Sequence, residues 1–144
     1  MARSLKDLSK RCRQLSKDIP NQVNELAIKV ALTVTFDLIE TTPVDTSKAL
    51  SSWKATRIAP FPAEVDAYFP GFFGYTAMSS QRAAKADAEK NIKNKKPGET
   101  IFIVNNADYI TDLNNGTSRQ APSGFVQMSV AKGRQTVNKF KFKF

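Results

Sequence analysis

The chain has 144 residues, 22 of them Lys or Arg and 13 Asp or Glu, giving a formal charge of +9, with no histidine, one cysteine and 41% apolar residues. That length suits one domain around a single core, so residues 1–144 are read as one unit. Without histidine there is no His-based triad, His-ligated metal or histidine general acid, and one thiol makes neither an internal disulfide nor a Cys-rich zinc site.

From the start, Leu5, Leu8, Cys12, Leu15 and Ile19 recur at spacings of three and four, one apolar stripe on a helix whose other faces carry Arg3, Lys6, Lys10, Arg11 and Lys17. Cys12 on that stripe reads as a small buried hydrophobe. Pro20 breaks or restarts the helix, with Asp18 as the N-cap candidate. The pattern resumes through Val23, Leu26, Ala27, Val30, Val34, Leu38 and Ile39, so a second helix, or the continuation of one kinked at Pro20, should reach about Glu40.

Thr41 to Ser47 stops the helix and turns the chain, because Pro43 disfavours helical geometry at Thr42. Ala49 to Ile58 alternates as a strand, with Leu50, Trp53, Ala55 and Ile58 as inward candidates. Residues 60–75 hold three prolines, two glycines and a dense set of aromatic rings, which excludes a regular helix. They form either a loop covering the core edge or an arm that docks on a neighbouring subunit.

Ser79 or Ser80 caps a helix rich in Ala, Lys and Glu, with little large apolar surface except Ile92. Glu99 to Val104 reads as a covered strand, apolar on both sides, interrupted by Asn105, Asn106 and Ala107. Tyr109 to Leu113 reads as a helical turn, followed by a turn at Asn114, Asn115 and Gly116. Gly124 to Val137 is a helix with Phe125, Met128, Ala131 and Gln135 on one side, weakened by Gly133. The terminus NKFKFKF alternates Phe140, Phe142 and Phe144 with Lys139, Lys141 and Lys143, an edge strand or arm over about 138–144.

The charge is uneven along the chain. It is +4 over residues 1–20, −2 over 21–40, 0 over 41–78, +3 over 79–100, −2 over 101–118 and +6 over 119–144. Basic termini and a basic helix on a nearly neutral core can face a phosphate backbone, an acidic protein ring or only solvent. The candidates for contact with DNA or an acidic partner are Lys85, Lys90, Lys93, Lys95, Lys96, Lys139, Lys141 and Lys143. No phosphate-cradling glycine motif occurs, and no carboxylate spacing singles out a catalytic pair, so neither enzyme activity nor a cofactor is expected. No apolar run approaches the ~20 residues that span a bilayer, and no secretory signal is read at the start. A soluble chain folding in a reducing cytosol, without membrane contact, is expected.

Two stretches carry a family likeness. Residues 39–53, IETTPVDTSKALSSW, resemble the helix, TPVDTG turn and Ser-Trp strand of the neck and tail-completion proteins of long-tailed bacteriophages, the group that includes the minor tail protein Z family. Residues 103–110, IVNNADYI, and 113–118, LNNGTS, are similar to that family's strand, Asn-Asn-x-x-Tyr-Ala and Gly-Thr-Ser stretch, and QAPSGFV at 120–126 to its run into the last helix. The matching positions are Thr42, Pro43, Val44, Asp45, Thr46, Trp53, Asn105, Asn106, Tyr109, Gly116, Thr117 and Ser118. Ser47 replaces the family's glycine, so the turn need not use a glycine-only geometry. Asn114 or Asn115 stands near a usual glutamate, and 60–97 looks like an insertion.

The resemblance implies an α+β fold: a long N-terminal helix on a small antiparallel sheet, with a C-terminal helix and extended arms. It also implies a virion protein, made in the bacterial host cytoplasm, that forms a ring of six or twelve copies at the head-tail junction. Its partners would be itself, a head-closure or portal-side protein, a tail terminator or tail tube protein, and double-stranded DNA passing non-specifically through the channel. Phe61, Tyr68, Phe69, Phe72, Phe73, Tyr75, Phe140, Phe142 and Phe144 are the subunit-interface candidates. A basic nucleic-acid-binding module, with Lys interleaved by aromatics at the C-terminus, is the alternative.

Overall fold

A computed structural model describes residues 4–144; Arg3, placed above on the first helix, lies outside them. Ser4 opens helix α1 (Leu5–Thr41): its hydroxyl accepts from the Asp7 N–H at 3.1 Å and donates to the Asp7 carboxylate at 2.9 Å. The helix runs through Pro20 as one element. Proline there removes the donor to the Ser16 carbonyl, but both residues are exposed, so water reaches the freed group. Asp18 accepts from Gln14 inside the helix and is not a cap.

Only the C-terminal half of α1 enters the core. Ala31, Val34, Thr35, Leu38 and Ile39 are buried, one face at helical spacing. The first half corrects the sequence reading: Leu5, Leu8, Ile19 and Val23 are exposed, as is Cys12, so the stripe there covers no core. Thr42 ends the helix in extended geometry ahead of Pro43, and its N–H and hydroxyl both reach the Leu38 carbonyl.

The predicted strand at 49–58 divides into a short helix α2 (Lys48–Ser51) and strand β1 (Trp53–Arg57). Leu50, Trp53 and Ala55 are buried as expected. Ile58 is not: it is exposed with φ of 75°. Strand β2 (Ile101–Asn105) pairs antiparallel with β1, Trp53 opposite Asn105 and Arg57 opposite Ile101. Asn105 therefore extends the strand instead of interrupting it. Every β2 residue is only partly buried, because this two-stranded sheet leaves the strand paired on one side.

Helix α3 (Ala77–Ile92) contradicts the expectation of an unburied helix. Ser80, Ala84, Ala88 and Ile92, one every fourth residue, are buried against α1 and β1. Small side chains let the helix axes approach closely. The same device holds α5 (Phe125–Lys139), which follows a short α4 (Ile110–Asn114) and packs along α1. Its buried face is Phe125, Ser129 and Gly133, whereas Met128, Ala131 and Gln135 are exposed. A Cβ on Gly133 would lie 2.5 Å from Val34 Cγ2, so the glycine is the contact and not a weak point. Ser129 and Lys132 reach the Asp37 carboxylate at 2.6 and 2.5 Å, fixing α5 along α1. The fold is α+β, with the sheet and three helices gathered around the second half of α1.

Candidate assembly surface

The two motif stretches meet. Pro43 to Ala49 from the first and Tyr109, Leu113 and Ser118 from the second line one cleft of about 380 Å³, joined by Gln120. The Gln120 amide clamps the Val44 backbone, accepting from its N–H at 2.7 Å and donating to its carbonyl at 3.0 Å. Trp53 Nε1 donates to the Thr42 hydroxyl at 2.8 Å, which donates in turn to the Leu38 carbonyl. Asn105 donates to the Ala49 carbonyl and accepts from the Ala107 N–H, and Asn106 holds the carbonyls of Phe61 and Ala63.

Gly116, at φ of 93°, Thr117 and Ser118 build the turn after α4, with the Thr117 hydroxyl on the Asp112 carbonyl and Ser118 Oγ accepting from the Gln120 N–H. Asn114 ties that turn to α5, accepting from the Val126 N–H and donating to Gln127. Most motif residues thus act on the backbone, as braces. Ser47 corrects the sequence reading: it sits at φ of 66°, the left-handed geometry that glycine favours, steadied by a 2.9 Å hydrogen bond with Thr76.

Asp45 connects the motif to the aromatic segment. Its carboxylate accepts from the Phe73 N–H at 2.7 Å and its carbonyl from the Gly74 N–H at 2.8 Å. These bonds hold Phe73 at φ of 59°, a strained conformation for a bulky residue. The turn so held presents Phe72, Phe73 and Tyr75 at 69, 84 and 87% exposure, with neighbouring ring centroids 6.5 and 6.4 Å apart. Phe69 is half exposed, its backbone tied to Ser80.

The rest of the segment turns inward. Tyr68 packs on the core and accepts from the ammonium of buried Lys54, which also lies 5.7 Å from the Phe61 ring centroid and 3.4 Å from Asp87. The segment thus divides: Tyr68 covers the core edge and Phe61 lies by Lys54, while the tip at 72–75 faces solvent. Sequence reading missed Lys54: strand alternation sets it on the face opposite Trp53 and Ala55, and Tyr68 and Asp87 bury it there.

Burial pushes the Tyr68 and Tyr109 hydroxyls above the usual tyrosine range. A protonated group held more tightly in the folded chain stabilises it fully below the unfolded pKa. That contribution is lost as pH rises beyond about 10 toward the folded values. Thermal melts from pH 8 to 11 should show stability falling above about pH 10, and Tyr68→Phe should flatten the slope; an unchanged slope would remove Tyr68 as its source.

The basic candidates do not form one stripe. Lys85 pairs with Glu40 and covers the Phe36 ring, and Lys95 is buried, donating to Asn24 Oδ1 at 2.6 Å while Asn24 returns a bond to its carbonyl. Lys95 is thus a brace between α1 and the loop before β2, not a free cation. Lys90, Lys93, Lys96, Lys139, Lys141 and Lys143 are exposed. The C-terminal residues form no strand: they run extended beyond α5, with the Lys143 backbone held by the Gln22 amide and the Phe142 and Phe144 rings stacked and exposed.

Among the described residues, no three His, Cys, Asp or Glu side chains converge as a metal site would require, and no helix is long and apolar enough to cross a membrane. No family model, curated protein or solved structure matches the chain.

Proposed function

We propose that this chain is a structural component of a bacteriophage neck, a ring that joins the head-closure or portal side to the tail and leaves a channel for DNA. The observation that carries the reading is the Asp45 brace: a motif carboxylate holds a strained turn that leads into α3 and presents three adjacent exposed rings. Strain kept outside any catalytic pocket suits a part shaped to meet another chain. A patch meeting a different patch on the next copy closes into a ring when the rotation is right. The likeness at 39–53 and 103–118 supports the same reading, in which the chain assembles and catalyses nothing.

Negative-stain electron microscopy and light scattering of the purified chain test this directly. Closed rings of six or twelve copies are expected, with weak binding of free DNA by the monomer. A chain that stays monomeric at every concentration and binds duplex DNA tightly, with steep salt dependence, would replace this reading with the nucleic-acid-binding one.

A further inference from the structure

We infer that the C-terminal tail of one copy adds as a third strand to the free edge of β2 in the next. This rests on the ring reading above, from which it takes a second copy as the occupant. β2 is paired only with β1, and α3 covers the β1 side of the sheet, leaving the other edge open. Edges this apolar, with no lysine among Ile101 to Asn105, are ordinarily covered or blunted.

Beside that edge lies an apolar groove of about 610 Å³. Val23, Leu26 and Val30 of α1 form its floor, Ile101 and Ile103 of β2 one wall, and Val137 of α5 the other. A strand laid in it would bond to the β2 backbone and drop alternate side chains onto α1. NKFKFKF has that pattern: Phe140, Phe142 and Phe144 would face the groove, and Lys139, Lys141 and Lys143 would face water.

Direction argues for a second copy's tail over the chain's own. α5 passes α1 at Gly133 beside Val34, reaches the groove at Val137, and leads to a tail pinned at Lys143 by Gln22, beyond the groove's end. To enter its own groove the tail would have to reverse immediately after Lys139.

The test uses a synthetic peptide of residues 138–144 and the full chain carrying F140S, F142S and F144S, whose fold is checked by circular dichroism. Saturable peptide binding is expected, at least tenfold weaker when Val23→Asn and Val137→Asn are added, both being half-exposed positions that the fold tolerates. Hydrogen exchange should slow across 101–105 on binding. No saturable binding, or binding indifferent to the groove substitutions, overturns the inference. If the wild-type chain and the tail-substituted chain form rings equally well, the inference fails and the ring reading stands. Groove-specific peptide binding by a chain that never forms rings supports the docking and defeats the ring.

Discussion

Replacing Trp53 with alanine should cost about 3–5 kcal/mol, the range for emptying a large aromatic from a packed core, and lower the melting temperature by more than about 10 °C. The side chain is 6% exposed and packs in a cluster with Leu38, Ile39, Leu50 and Phe125. It also ends a short relay, indole to Thr42 hydroxyl to Leu38 carbonyl, that pins the motif turn to the end of α1. Trp53→Phe keeps most of the apolar volume and loses only the indole bond, so it should cost much less, on the order of 1–2 kcal/mol. Because Trp53 is the sole tryptophan, urea unfolding must be followed by circular dichroism. A Trp53→Ala loss below about 1 kcal/mol would show that the motif tryptophan is not part of the core.

The elements most legible in the sequence were those where large apolar residues recur at one period. α1 and β2 were recognisable for this reason, as was the stop at Thr42 before Pro43. Periodicity cannot say what covers a stripe, however: Leu5, Leu8 and Val23 share the spacing of Leu38 and Ile39, yet only the latter two meet a core. The seams of α3 and α5 escaped notice because Ser80, Ala84, Ala88, Ser129 and Gly133 are too small to register as hydrophobic, while smallness is what lets these helices approach α1.

The candidate site was visible as motif residues but not as a mechanism. Nothing in the string TPVDTS indicates that Asp45 reaches across 28 positions to Phe73, or that Gln120 closes on Val44. Lys95 stands among the basic contact candidates and Lys54 among none, because burial of a lysine depends on partners distant in sequence: Asn24 for Lys95, Tyr68 and Asp87 for Lys54. Each of these bonds is set by the tertiary fold. Composition located the basic segments, and the structure separates braces from free cations within them.

Substituting Phe72, Phe73 and Tyr75 together by serine should abolish ring assembly and leave the melting temperature within about 5 °C of wild type. The two halves of that prediction follow from one fact, the exposure of all three rings in the single chain. Surface substitutions away from caps and core shift stability by about 0.5 kcal/mol or less each, and serine relieves nothing at the Phe73 turn that Asp45 does not still hold. At an interface the same rings would each contribute roughly 1.5–3 kcal/mol on burial, so losing three should weaken association by more than about a thousandfold. Asp45→Ala tests the brace separately: the rings remain, but the turn at φ of 59° loses its carboxylate partner and the Phe73 amide should exchange faster. Light scattering and electron microscopy read out assembly of both variants beside a Tyr68→Phe control, which should assemble normally because that ring faces inward. Rings formed by the triple serine variant at wild-type concentrations would rule out the aromatic tip as the subunit contact.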